Sequence, residues 1–326
     1  MKLNFTKIKE TKNLLAFSAG VDSTALFFLL VESNIPFDIA IVNYNARNES
    51  AEELNYAIEL ASLYGKEIFY KEVIIESNSN FEKTARDIRY NFFEDLISEY
   101  KYESLITAHQ LNDKLEWFLM QLSKGAGLVE LIGFNEVEEK EKYFIFKPLL
   151  EVKKDDLETY LKEYNYKYFI DKSNYDEKYT RNYFRHNYSD KFLKEYEKGI
   201  INSFRYLNND LLSLNISADP LLKIKELEVF KNINDNNLNI RVIDLSLKKR
   251  GILLSKAQRD EIMKQKVLVI SHKISITILD NFIWIAPISN KDMTKEFKEL
   301  CRINKIPKNI RAYIFQEEIN LKELII

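Results

Sequence analysis

The chain has 326 residues, a formal net charge of −2, 46% apolar residues, 30% charged residues and one cysteine. This length suits two or three compact units, and the apolar share excludes an intrinsically disordered chain. The lone Cys301 excludes an internal disulfide and any cysteine-rich zinc or iron–sulfur centre.

The opening MKLNFTKIKETKN has no apolar signal core, and the longest apolar run, around 25–31, is too short for a bilayer. A cytoplasmic protein with no membrane partner is expected. Short apolar runs then alternate with amphipathic stretches. Strands are expected at 13–18, 39–43, 67–73, 104–108 and 143–147, and helices at 23–32, 50–64, 82–100 and 113–123. The alternation predicts an α/β fold, a doubly wound and mostly parallel sheet with ligands beyond the carboxyl ends of its strands. Three such ends stand out: 18–23, 43–47 and 109–113. After Pro148 helices prevail, at 153–164 and at 180–206, the second of them broken. A polar stretch at 208–220 reads as a boundary. Beyond it come a helix at 256–264 and strands at 267–270, 274–279 and 281–285, the last two joined by an Asp280-Asn281 turn. The expected domains are a catalytic domain at 1–188, a helical extension and linker at 189–219, and a smaller α+β region at 220–326.

The stretch LLAFSAGVDSTALFFLL, residues 14–30, places a polar turn between a buried strand and a buried helix. Gly20 is free to take a positive φ. The hydroxyls of Ser18, Ser23 and Thr24 crowd the turn, and a helix starting there presents bare N–H groups and a partial positive charge. Together these make a phosphate seat, although no lysine follows the glycine as in the GxxxxGK[ST] loop. Asp22 is an anion beside an anion site, which makes sense if it holds a cation such as Mg²⁺. A plain helix cap at Asp22 or Ser23 is the competing reading.

Five segments together identify a family. SAGVDS (18–23) resembles the SGGxDS pyrophosphate loop of the N-type ATP pyrophosphatases, with Ala19 in place of a glycine. If that position takes a positive φ, alanine costs on the order of 1 kcal/mol. VNYNARNES (42–50) resembles VNHGLRxxS, and FEKTARDIRYNFF (81–93) resembles ExxARxxRYxFF. TAHQLNDKLEWFLMQLSKGAGLVELIG (107–133) resembles TAHHxDDQxET…RGxGLxGL. KPLLEV…FIDKSNYDEKYTRNYFR (147–185) resembles RPLL…DxSNxxxxxxRNxxR. Order and spacing over about the first 190 residues are those of the tRNA(Ile)-lysidine synthases. Departures include Tyr44 and Asn45 for His-Gly, and Gln110, Asn112, Lys114 and Trp117 around Asp113. More loosely, 250–264 and 295–311 resemble parts of that family's C-terminal domains.

The resemblance implies ATP and Mg²⁺ as cofactors, and L-lysine and a tRNA(Ile) with a CAU anticodon as partners. ATP activates C2 of the wobble cytidine by adenylation, and lysine replaces AMP to give lysidine. The loop Ser18, Ala19, Gly20, Val21, Asp22, Ser23 and Thr24 would bind ATP, and Asp22, Arg86, His109, Asp113 and Glu116 would form the catalytic set. Asp113 and Glu116, three apart on one helix face, suit a magnesium ion, as Asp22 does, or the ammonium of lysine; a solvated face is the bland alternative. Arg86 and Arg89 suit an α-phosphate. Arg181, Asn182 and Arg185 suit ATP phosphates or tRNA. Tyrosines 175, 179 and 183 suit base stacking or simple packing.

Lys248, Lys249 and Arg250 open a stretch to residue 266 with seven basic and two acidic residues, a candidate tRNA-phosphate patch or a solvated face. Rival readings are a nucleotide- and RNA-binding module without ligase activity, and a tRNA 2-thiolation enzyme, which one cysteine does not serve. The sequence leaves the oligomeric state, a homodimer included, open.

Overall fold

The computed structural model describes residues 3, 5–44, 49–75, 81–170, 176–214, 219–279 and 281–324. The expectations on Asn45, Arg47, Tyr175 and Asp280 lie outside the described residues. The chain forms two compact units, Met1–Asn209 and Asp210–Ile326.

The first unit is built on six strands: β1 (Asn13–Ala16), β2 (Asp38–Asn43), β3 (Ile68–Glu72), β4 (Ser104–Ile106), β5 (Val137–Glu139) and β6 (Phe144–Phe146). Their order is β3-β2-β1-β4-β6-β5, all parallel except β5, which pairs antiparallel with β6. The edge strand β5 was not expected from sequence. Its three residues are only partly covered and carry no strong apolar signal. Leu14, Leu15, Ile39, Leu105 and Ile106 are fully buried, as continuous apolar strands of a two-sided sheet require.

The helices are α1 (Val21–Glu32), α2 (Glu49–Leu63), α3 (Phe81–Tyr100), α4 (Leu111–Ser123), α5 (Leu128–Leu131), α6 (Lys154–Glu163), α7 (Thr180–Phe184) and α8 (Asp190–Ser213). Helix α1 is apolar nearly all round, with Ala25 through Leu30 buried, so it forms a central support. A π-helical segment, Arg185–Ser189, joins α7 to α8, and α8 is interrupted at Tyr196 (φ −123°, ψ 21°). These are the breaks expected within 180–206. From β1 the chain winds outward through β2 to β3, then returns to lay β4 on the other side of β1. The switch point of the sheet therefore lies between β1 and β4, where α1 and α4 begin.

The second unit carries the antiparallel sheet β7-β8-β11-β10-β9. Its strands are β7 (Leu222–Ile224), β8 (Leu227–Lys231), β9 (Val267–Ile270), β10 (Ile274–Ile278) and β11 (Phe282–Pro287). Helices α9 (Asn236–Lys249) and α10 (Lys256–Gln265) cover one face, where Val242, Ile243, Leu247 and Ile262 meet Ile276, Ile283 and Ile285. Helices α11 (Lys295–Ile303) and α12 (Arg311–Gln316) share the other face with Val229 and Trp284, and Cys301 is buried there.

Candidate active site at the sheet switch point

The turn from β1 into α1 stores backbone strain at one residue. Ala19 has φ 55°, whereas Gly20 is extended (φ −76°, ψ 172°). The expectation that Gly20 takes the positive φ is therefore corrected: the left-handed residue is Ala19. The turn is held because the Ala19 carbonyl accepts from the Phe169 amide (2.9 Å). Ser23 Oγ accepts from the Ser18 amide (3.2 Å), lies 3.1 Å from Ser18 Oγ and donates to the Gly20 carbonyl (3.3 Å). Ala19, Val21, Ser23 and Thr24 are buried, so their side chains shape the loop, while Ser18, Gly20 and Asp22 reach its surface. No side chain caps the start of α1.

Asp22 is an uncompensated anion. Its Oδ1 is buried without a hydrogen-bond partner. Burial, followed by the charge of Asp113, pushes its carboxyl up to about 7 against the pull of Lys154 and Arg185. A divalent cation is the charge such a group lacks, so Asp22 fits Mg²⁺.

Asp113 and Glu116 have a different environment. Helix α4 starts with a capping box: Gln110 Oε1 accepts from the Asn112 amide (2.5 Å), and Asp113 Oδ2 accepts from the Gln110 amide (3.1 Å). Arg181 donates from Nη2 to Asp113 Oδ1 (2.5 Å) and from Nε to Glu116 Oε2 (2.8 Å). Arg185 donates from Nε to Glu116 Oε1 (2.5 Å), and its Nη2 reaches Glu116 Oε2 (3.2 Å) and Asp113 Oδ1 (3.3 Å). The Glu116 side chain is only 1% exposed and Arg185 is largely covered, while Arg181 is 45% exposed and closes the cluster from the solvent side. Burial, followed by the charge of Asp113, raises the Glu116 carboxyl above its ordinary value against the pull of both arginines. Burial raises Asp113, but Arg181, His109 and Arg185 outweigh it and hold the carboxyl below its ordinary value.

Two expectations meet this quartet. The oxygens of Asp113 and Glu116, expected to suit a magnesium ion or the ammonium of lysine, lie on guanidiniums. Among the described residues no three His, Cys, Asp or Glu side chains converge as metal ligands. Arg181 and Arg185, expected to suit ATP phosphates or tRNA, bind these acids. Asn182 is buried and donates to the Asp176 carbonyl (3.0 Å).

His109 closes the β4 side. Its Nδ1 lies 2.9 Å from Thr107 Oγ1, and its ring meets Phe134 edge-on. Burial lowers its pKa to about 4, with Lys147, Arg181 and Arg86 adding to the effect, so the imidazole is neutral. Arg86 lies over the Tyr90 ring (4.6 Å), and its charge reaches both His109 and Lys147. The charge of Arg89 acts on Tyr44, whose hydroxyl donates to the Ala85 carbonyl (2.7 Å).

In the second unit, Lys248 binds Asp244 (2.9 Å), and Arg250 binds Glu228 (3.2 Å), Glu226 (3.3 Å) and the Glu226 carbonyl (2.7 Å). Lys248 and Arg250 thus carry acidic partners within their own unit, and Lys249 alone of the three is exposed.

Sequence reasoning missed Lys154, whose charge acts on Asp22, and saw Asn112 only as a departure from a motif. Both line a cavity of about 220 Å³ beside Arg185, together with His186 and Asp190. No residue spacing announces that convergence, because the three segments are far apart in sequence.

The PP-loop domain family matches residues 1–191. The tRNA(Ile)-lysidine synthase of Campylobacter jejuni strain RM1221 is 42% identical over 324 residues, covering 97% of this chain and 96% of the relative. The chain belongs to the tRNA(Ile)-lysidine synthase family. Other synthases give the same picture: that of Helicobacter pylori strain 26695 is 41% identical over 97% of this chain and 93% of its own length. The synthase of Helicobacter hepaticus is 41% identical over 96% of this chain and 84% of its own. Among solved structures, the U34-tRNA thiolase NcsA of Methanococcus maripaludis superposes with a TM-score of 0.50 at 19% identity, covering 63% of this chain and 75% of that one. That likeness shows the fold the lysidine synthases share with it. No helix among the described residues is long and apolar enough to cross a membrane.

Proposed function

We propose that the protein ligates L-lysine to C2 of the wobble cytidine in the CAU anticodon of tRNA(Ile), using ATP in the cytoplasm. The observation that carries this reading is the kinship with curated tRNA(Ile)-lysidine synthases over 97% of the chain. The open loop and charged cluster at the sheet's switch point give that kinship a place to act. A thiolation enzyme is disfavoured, since sulfur transfer needs reactive cysteines and the single thiol is buried.

The work divides among residues already described. The bare start of α1 and the Ser18–Gly20 backbone take the phosphates of ATP. Asp22 would hold Mg²⁺, which supplies positive charge to the phosphates when bound. Arg86, whose charge reaches His109, suits the α-phosphate of ATP as the C2 oxygen of the cytidine bonds to its phosphorus and pyrophosphate leaves. The lysine amine then forms the C2–N bond, AMP departs with the C2 oxygen, and the amine loses a proton. Asp113 and Glu116 receive the ammonium end of lysine by exchanging part of their bonding to Arg181 and Arg185. The neutral His109 adds no charge against that cation.

The test is direct. Purified protein, ATP, Mg²⁺, labelled lysine and tRNA(Ile) transcript should yield pyrophosphate, AMP and acid-precipitable lysine in equal amounts. ATP binding without lysine incorporation would overturn the reading in favour of a binding module.

A further inference from the structure

Asn112 joins three helix starts. Its Nδ2 donates to Asp190 Oδ1 at the first residue of α8 (2.7 Å), and its Oδ1 accepts from the Lys154 amide at the first residue of α6 (3.1 Å). Asn112 itself sits at the second position of α4, beside Asp113, and is buried. Each helix brings one part of the site. Helix α4 carries Asp113 and Glu116, α6 brings Lys154 towards Asp22, and α8 continues the π-segment that begins with Arg185.

We infer that Asn112 is a positioning residue: its neutral amide fixes the spacing of the acids, the arginines and Lys154. The argument is one of donors and acceptors. Asn112 faces one acceptor, a carboxylate, and one donor, an amide N–H, and a carboxamide is the side chain that satisfies both. An aspartate would set two carboxylates at hydrogen-bond distance. Other links exist: Lys153 reaches Glu197 on α8 (2.8 Å), and the Leu111 amide reaches the Val152 carbonyl (2.9 Å). Neither touches all three helices. The ion pairs of Arg181 and Arg185 must loosen when substrate enters, whereas the Asn112 amide meets only α6 and α8 and need not break. A π-segment inserted next to the clamped residue also makes the helix register adjustable, so a fixed point there has a purpose.

The inference rests on the ligase reading for its assay. Asn112→Asp should lower the turnover of pyrophosphate release on the order of 10-fold, as a small misplacement of reacting groups does. KM for ATP should stay within about 2-fold, because the phosphate loop lies outside the clamp. Exchanging the partners, Asn112→Asp with Asp190→Asn, restores one donor and two acceptors and should recover turnover to within about 3-fold of wild type. Wild-type turnover in the single variant, or a double variant no faster than the single one, overturns the clamp. Hydrogen exchange on the unaltered protein provides a readout independent of activity and of variant folding. The Lys154 amide should be protected, and exchange at the rate of an open amide also overturns it. An inactive wild type with a protected Lys154 amide would count against the ligase reading and leave the clamp standing.

Discussion

Two helices begin at the switch point of the same sheet, and their N-termini are finished in opposite ways. Helix α4 caps itself with Gln110 and Asp113, and its acids are further bound by Arg181 and Arg185. Helix α1 has no side-chain cap, a glycine at its N-cap and a carboxylate with an unpartnered buried oxygen. Buried polar groups are normally satisfied, so the saturated end must give up bonds before it takes a ligand, whereas the bare end has bonds to offer at once. The same sheet thus provides one braced wall and one bare helix start.

The contrast breaks most sharply at Asp22. Asp22→Asn should cut pyrophosphate release on the order of 10³-fold while leaving the fold as stable as before or more so, since it removes a buried, uncompensated charge. A variant that turns over normally would show that the bare end is not the seat. At the saturated end the outcome should reverse. Glu116→Gln removes the charge that pairs with both guanidiniums and, with Asp113 still bound to them and Arg181 free to turn to water, should cost about 1.5–3 kcal/mol in urea unfolding. A cost below about 1 kcal/mol would mean that the wall does not depend on the quartet.

His109 sharpens the comparison through pH. Its folded pKa is about 4 against an ordinary 6.5, so unfolding takes up a proton between those values. Stability therefore falls as pH drops through that window, by up to about 1.4 kcal/mol per unit. His109→Gln should show a flatter decline than wild type between pH 6.5 and 4, and parallel curves would refute the buried neutral imidazole. The smallest effect is expected at the loop itself. Ala19→Gly relieves a left-handed alanine and should add about 1 kcal/mol in thermal or urea unfolding.

Much of this was legible in the residues. Five strands of the first unit and the helices between them follow from runs such as Leu14–Phe17 and Leu105–Ile106, because two-sided burial demands continuous apolar sequence. The Ser18–Ser23 motif located the loop, and the doubt over Ala19 located its strained residue. What failed was pairing. Asp113, Glu116, Arg181 and Arg185 were each singled out, but nothing in a linear chain says that residues 65 or more apart will neutralise one another. Arg250 pairs with Glu228 on β8, which no spacing announces, whereas Lys248 pairs with Asp244 four residues before it on α9, a spacing that was legible. Helix α9 escaped notice because its opening, NNLN after Asp235, reads as a loop, although Val242, Ile243 and Leu247 form a buried face further on.

The lone sulfur of Cys301, on the buried side of α11 in the second unit, gives the molecule a natural probe. Burial raises the thiol's pKa and keeps it from reagents, so alkylation must wait for that unit to open. The rate of labelling under native conditions then times the breathing of the C-terminal half alone, with no engineered tag. Adding tRNA to the same measurement would report whether that half tightens when the substrate is grasped.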